Sequence, residues 1–138
     1  MAEINPELRA KIKGLSFEYT DRPQPELLIT VPNPHPDIDY IEKLVYPEFT
    51  SLCPLARTQP DYATITIMYM PREVICELKS LKFYLVSYRN VEIFHEAVVG
   101  QIWKDINSRC KPKQIKVIGE FTVRGGIQTT ITVGDLHF

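Results

Sequence analysis

Residues 62–70 alternate strictly. Ala63, Ile65, Ile67 and Tyr69 fall on one face and Thr64, Thr66, Met68 and Met70 on the other, which predicts a half-buried strand. Residues 38–50 also have strand character, interrupted at Pro47. The two runs predict an antiparallel pair joined by a proline-punctuated loop that carries Cys53 and ends at Asp61. That loop is longer than an ordinary hairpin connection, and long connections in compact domains tend to carry function.

After Pro71 the period changes. A short turn leads into a run in which Leu78, Leu81, Leu85 and Tyr88 fall on one helical stripe. Lys79, Lys82 and Arg89 lie on an adjoining face, where basic groups suit a phosphate. Asn90 reads as the N-cap of a second helix with Glu92 in its first turn. Its apolar stripe is Phe94, Val98, Ile102 and Ile106, with Val91 on the same side. His95 sits at the edge of the stripe, and Glu96 points away from it. Cys110 and the following Lys-Pro-Lys end this helix.

Two alternating strands follow, over 115–123 and 127–133, with Arg124-Gly125-Gly126 as a tight turn between them. The order strand, strand, helix, helix, strand, strand predicts an α+β domain over 38–138. It comprises an antiparallel four-stranded sheet with two helices on one face. Residues 1–37 hold six of the eleven prolines and read as an extended arm with one short strand at Leu27–Val31.

Composition narrows the function classes. The 138 residues carry a net charge of -1, which gives no basic field for direct nucleic-acid binding. No apolar run approaches the ~20 residues of a membrane span, and the N-terminus lacks the apolar core of a signal peptide. Three widely spaced cysteines do not form a disulfide framework, so a cytoplasmic protein with free thiols is expected.

Among those thiols, Cys53 is the nucleophile candidate because its turn can expose a thiolate, and Asp61 is a candidate acid or base beside it. Cys76 and Cys110, at helix ends, read as structural. A zinc site from Cys53, Cys110 and His95 would lack any close ligand pair, so no metal is expected. No glycine-rich phosphate loop is present; a dinucleotide would have to be held some other way.

Three segments together resemble the QueF family, the NADPH-dependent nitrile reductases of queuosine biosynthesis. EFTSLCP…QPDYATI is similar to that family's active-site segment, ELKSLKFYL to its nicotinamide dinucleotide signature, and SYRNVEIFHE with FTVRGG to its later blocks. The likeness covers roughly residues 40–130, and the chain's length resembles the unimodular subfamily.

The resemblance implies a tunnelling fold, in which subunits join their sheets into an oligomeric barrel. It implies pentameric rings, stacked as a decamer, with active sites between neighbours. It also implies reduction of the small-molecule substrate 7-cyano-7-deazaguanine to 7-aminomethyl-7-deazaguanine with NADPH, in tRNA queuosine biosynthesis.

Carried over by residue, Cys53 would form a thioimide with the nitrile carbon and Asp61 would protonate the nitrogen. Glu96, with His95, would read the guanine-like edge. Cys76, Glu77 and Leu78 would line the substrate, largely through backbone groups. Lys79, Lys82 and Arg124 would hold the cofactor's phosphates.

The loop CPLARTQPD is one residue longer than the family pattern C-P-x-T-G-Q-P-D, so it must bulge to return Asp61 to Cys53. Two other functions remain to be separated: an archaeosine-type amidinotransferase using the same thioimide, and a non-catalytic purine- or pterin-binding protein of the same fold. ELKSLKFYL weighs against the first, and the pairing of Cys53 with Asp61 against the second.

Overall fold

The computed structural model describes residues 3–56 and 58–134. Two long strands, β2 (Glu42–Leu52) and β3 (Pro60–Met70), pair antiparallel. They are followed by β5 (Gln114–Phe121) and β6 (Thr130–Gly134) in a four-stranded sheet of order β2-β3-β5-β6. Pro47 falls inside β2, where the register shifts between Tyr46 and Phe49. An edge strand tolerates a proline at such a bulge because no ladder hydrogen bond is lost there. The inward face of β3 is the one its alternation predicts: Ala63, Ile65, Ile67 and Tyr69 are all buried.

Two helices, α2 (Leu78–Val86) and α3 (His95–Cys110), cover that face. Val98, Val99, Ile102, Ile106 and Cys110 of α3 enter the core. Gly119 on β5 sets how closely α3 approaches: a Cβ there would meet Val99 Cγ2 at 2.6 Å and the Phe121 ring at 3.0 Å. The β5–β6 connection is the expected tight turn. Arg124 and Ile127 exchange backbone hydrogen bonds of 2.9 Å, and Gly125 (φ 57°) and Gly126 (φ 79°) supply the two left-handed positions that a type I′ turn requires.

Several elements differ from the sequence reading, among them β6, which starts at Thr130 and not at Ile127, because Ile127 is taken up in closing the turn with Arg124 and is exposed. The arm expected to be extended contains a helix, α1 (Pro6–Lys13). Asn5 caps it, accepting the Leu8 N–H at 2.8 Å, and Pro6 occupies a first-turn position where no donor is needed. The arm's short strand, β1 (Thr30–Pro32), pairs with β4 (Val74–Cys76), in a segment read as a turn.

The second helix starts at His95, not after Asn90. Residues 91–93 run extended instead, because Leu52 takes their backbone: Leu52 N–H donates to Val91 O at 2.9 Å and Ile93 N–H to Leu52 O at 3.1 Å. Leu78 and Phe94, both placed on buried stripes, are each 55% exposed. Tyr84 takes the buried place on α2.

Tyr84 and Tyr88 form a buried polar cluster with Asp105. The Tyr84 hydroxyl donates to Asp105 Oδ2 at 2.6 Å and lies 2.9 Å from the Tyr88 hydroxyl, while Gln101 donates to Asp105 Oδ1 at 2.9 Å. Burial pushes both phenols upward. It does the same to Tyr69, whose hydroxyl donates to Glu42 at 2.5 Å.

A raised phenol stays neutral in the folded chain and ionises near its ordinary value of 10.0 in the unfolded chain. The stability it contributes is therefore complete below that pH and lost as pH rises above it. Each group adds up to about 1.4 kcal/mol per pH unit. Urea midpoints should hold steady from neutral pH to about pH 9 and then fall, with a shallower fall in Tyr84→Phe. A midpoint that stays level to pH 11 would contradict this account.

Candidate active site

The loop after β2 is closed at its base by the Cys53 N–H, which donates to Gln59 O at 3.0 Å, and turned by the Gln59 N–H on Ala56 O at 2.8 Å. The extra loop length is thus accommodated outward, where Leu55 is 85% exposed; Arg57, in the same run, lies outside the described residues. With the base closed, Cys53 at the end of β2 and Asp61 at the start of β3 share one cavity of about 190 Å³. Phe94, His95, Glu96 and Arg124 also line it.

Asp61 is only 3% exposed. A carboxylate so deeply buried needs charged or hydrogen-bonding partners, and each oxygen has one. Arg124 donates through Nη1 to Oδ1, and His95 Nε2 lies 3.3 Å from Oδ2. The His95 ring in turn stacks on Phe121, with centroids 3.9 Å apart and planes within 9°. That stack fixes the imidazole's plane and hence the direction of Nε2. Ser51, opposite Asp61 in the β2–β3 register, is fully buried, and its Oγ has no hydrogen-bond partner among the described residues.

The cavity therefore unites five residues singled out from the sequence: Cys53, Asp61, His95, Glu96 and Arg124. The other five lie elsewhere on the chain. Glu77 caps α2 with both carboxylate oxygens, accepting the Ser80 N–H at 2.7 Å and the Lys79 N–H at 2.9 Å. Cys76 is in the core, its sulfur 2.8 Å from that of Cys110. Lys79 donates to the C-terminal carbonyls of α1, Ile12 O at 2.9 Å and Lys13 O at 3.0 Å. Leu78 and Lys82 line a separate groove of about 270 Å³ between α2 and β2, with Lys43 at its rim.

Sequence reasoning missed Phe121 and Ser51. Phe121 had a usable signal, an inward aromatic at the strand end that leads into the Arg-Gly-Gly turn. Ser51 had none beyond its cross-strand position.

The three thiols are unequal. The Cys76 thiol is pushed far above the ordinary range, first by its hydrogen bond with the Cys110 thiol and then by burial, whereas Cys53 is partly exposed in its cavity. Ellman's reagent should therefore react rapidly with one thiol of the native protein and with all three only after denaturation. Two or more fast equivalents would show that the buried pair is accessible.

Known proteins resemble this chain in sequence and in fold. The family model described as QueF-like protein matches residues 60–136. A protein of Chloroherpeton thalassium named NADPH-dependent 7-cyano-7-deazaguanine reductase is 48% identical over 109 residues, covering 79% of this chain and 93% of that protein. One of the same name from Neisseria gonorrhoeae is 50% identical over 130 residues, covering 92% and 82%. Among solved structures, an archaeosine synthase QueF-Like in the apo form superimposes with a TM-score of 0.63. Its identity is 21%, it covers 68% of this chain and 91% of that one, and it shows a shared fold. From the matched residues and these identities, the chain belongs to the QueF-like family.

Proposed function

We propose that this chain reduces the nitrile of 7-cyano-7-deazaguanine to an aminomethyl group with NADPH, through a thioimide on Cys53. The observation that carries this reading is the placement of a partly exposed thiol and a buried carboxylate in one cavity. It is joined to the activity named for relatives about half identical to this chain.

A nitrile accepts hydride poorly. Addition of the Cys53 sulfur to its carbon forms an S–C bond and breaks one C–N π bond. The thiol's proton passes through Asp61 to the nitrile nitrogen. The product is a C=N double bond that is easier to reduce, so one hard step becomes two easier ones. Asp61 can relay that proton because Arg124 and His95 hold its two oxygens in place at the cavity wall. Glu96, exposed in the first turn of α3, offers a carboxylate that accepts two N–H donors from a guanine-like edge, with His95 beside it.

NADPH, when bound, would supply the hydrides; nitrile to primary amine takes two hydrides and two protons, and the S–C bond must break along the way to return the Cys53 thiol. The α2–β2 groove fits an anionic cofactor: Lys82 and Lys43 supply charge above an apolar floor of Leu44, Ile67 and Leu81. In our reading Lys79, Lys82 and Arg124 hold its phosphates. Lys79 must then share its ammonium with the α1 carbonyls it already meets. In the same reading the segment Cys76-Glu77-Leu78 lines the substrate at the head of α2, largely through backbone groups, since the Cys76 thiol is in the core and the Glu77 carboxylate caps the helix.

This division of the site residues supports a tunnelling assembly. The cavity and the α2 groove are separate features of one chain, and pairing subunits edge to edge would bring one subunit's groove to its neighbour's cavity. The sheet has edges at β2 and β6, and its outer face exposes Val45 and Tyr62; such edges are normally covered. We propose pentameric rings stacked as a decamer, working in the cytoplasm, where free thiols persist.

Incubated with the nitrile base and no NADPH, the protein should gain the mass of the whole base, because addition expels no leaving group. Peptide mapping should place the adduct on Cys53. Cys53→Ala should abolish it, and Asp61→Asn should slow its formation. An adduct on Cys76 or Cys110, or full reductase activity in Cys53→Ala, would overturn the mechanism. Glu96→Gln should raise the base's dissociation constant roughly ten- to hundredfold without unfolding, as expected for loss of a hydrogen bond to a charged group. An unchanged constant would return Glu96 to an ordinary solvated helix position.

A further inference from the structure

The cofactor-phosphate role leaves unexplained where the structure puts Arg124. Its guanidinium does not lie with Lys82 along the α2 groove; it reaches into the Cys53 cavity, paired with Asp61 and one-third exposed. Its backbone is fixed at the base of the type I′ turn by the two Ile127 hydrogen bonds, so the hairpin presents this side chain to the cavity. The guanidinium is held above its ordinary range chiefly by the hydrogen bond to Asp61, against desolvation, and it lines the same cavity as the Cys53 sulfur. A guanidinium has five donors in a planar fork, enough to serve a carboxylate and a sulfur at once.

Charge makes the position consequential. The titratable groups that face the Cys53 sulfur are Asp61 from β3, His95 and Glu96 from α3, and Arg124 from the hairpin. Glu92 lies on the segment that pairs with Leu52. Arg124 is the one permanent cation lining the cavity among the described residues. Without it, a thiolate would form facing two carboxylates, and nearby cations are what favour a thiolate.

We propose that Arg124 is a further catalytic residue, whose guanidinium, anchored by Asp61, stabilises the Cys53 sulfur as the attacking thiolate. This rests on the reading of Cys53 as nucleophile and goes beyond a role in holding the cofactor.

The primary measurement needs neither base nor cofactor. The full-length protein is treated with iodoacetamide, a neutral reagent, at pH 7, and Cys53 alkylation is followed by mass spectrometry. Arg124→Gln should slow it roughly tenfold, while Arg124→Lys, which keeps the charge, should restore most of the rate. Cys76 and Cys110 report folding in the same experiment. If Arg124→Gln exposes them to labelling, Arg124→Met is measured in its place.

An unchanged Cys53 rate in the neutral variant, with only the NADPH KM raised, would overturn the proposal and leave Arg124 to the cofactor. Equal slowing in Arg124→Lys and Arg124→Gln would also overturn it, because charge would not be the cause. Arg124-dependent alkylation in a protein that forms no adduct with the nitrile base would uphold the inference while rejecting the substrate proposed above.

Discussion

A buried carboxylate is the constraint around which this molecule is arranged. Asp61 is almost fully enclosed at the start of β3, and an ionised group in that position is tolerable only if both oxygens are met. One partner comes from the first turn of α3 and the other from the tip of the β5–β6 hairpin. Neither is near Asp61 in sequence, so the site exists only once the sheet has registered and α3 has docked. Gly119 belongs to the same requirement. By omitting a side chain beneath Val99 and beside the Phe121 ring, it lets the helix sit low enough for His95 to lie on that ring.

Polar groups elsewhere follow the same logic of complete partnering. Glu77 meets two N–H donors at the head of α2, and Asp105 is met by Tyr84 and Gln101 inside the core. Ser51 is the exception among the described residues: its hydroxyl is buried across from Asp61 with no hydrogen-bond partner among them. An unmatched buried polar group costs about 1–3 kcal/mol, and this one stands across the strand pair from the Asp61 carboxylate. Local imperfection of this kind is expected where a site, not stability, dictates the residues.

Much of the fold was legible because its period is strict. The alternation of 62–70 correctly put Ala63, Ile65, Ile67 and Tyr69 on the inward face of β3, and Gly125-Gly126 announced the hairpin. Periodicity reports faces but not ends, however. Asn90 had the chemistry of an N-cap, yet α3 began five residues later because Leu52 competed for the intervening backbone, a contact between segments far apart in the chain. Leu78 and Phe94 fitted their stripes and proved exposed, since a stripe at a helix's first turn projects beyond the sheet that covers the rest. The first helix was hidden by the prolines around it, although Asn-Pro-Glu is a sound helix start. For the site, residue types pointed to Cys53 and Asp61. That Arg124 joins them while Lys79 and Lys82 do not is a matter of which loops meet in space.

The first helix has a practical consequence. Residues 6–13 bury no side chain, and an isolated helix of that length is marginal in water. Lys79 supplies its tertiary hydrogen bonds, while Leu15 and Phe17, just beyond, are the first side chains of the chain packed against the core. Residues 3–14 therefore open at little cost while the sheet stays shut. None of residues 3–14 lines the Cys53 cavity, so a fusion tag or surface tether joined there should leave that cavity undisturbed.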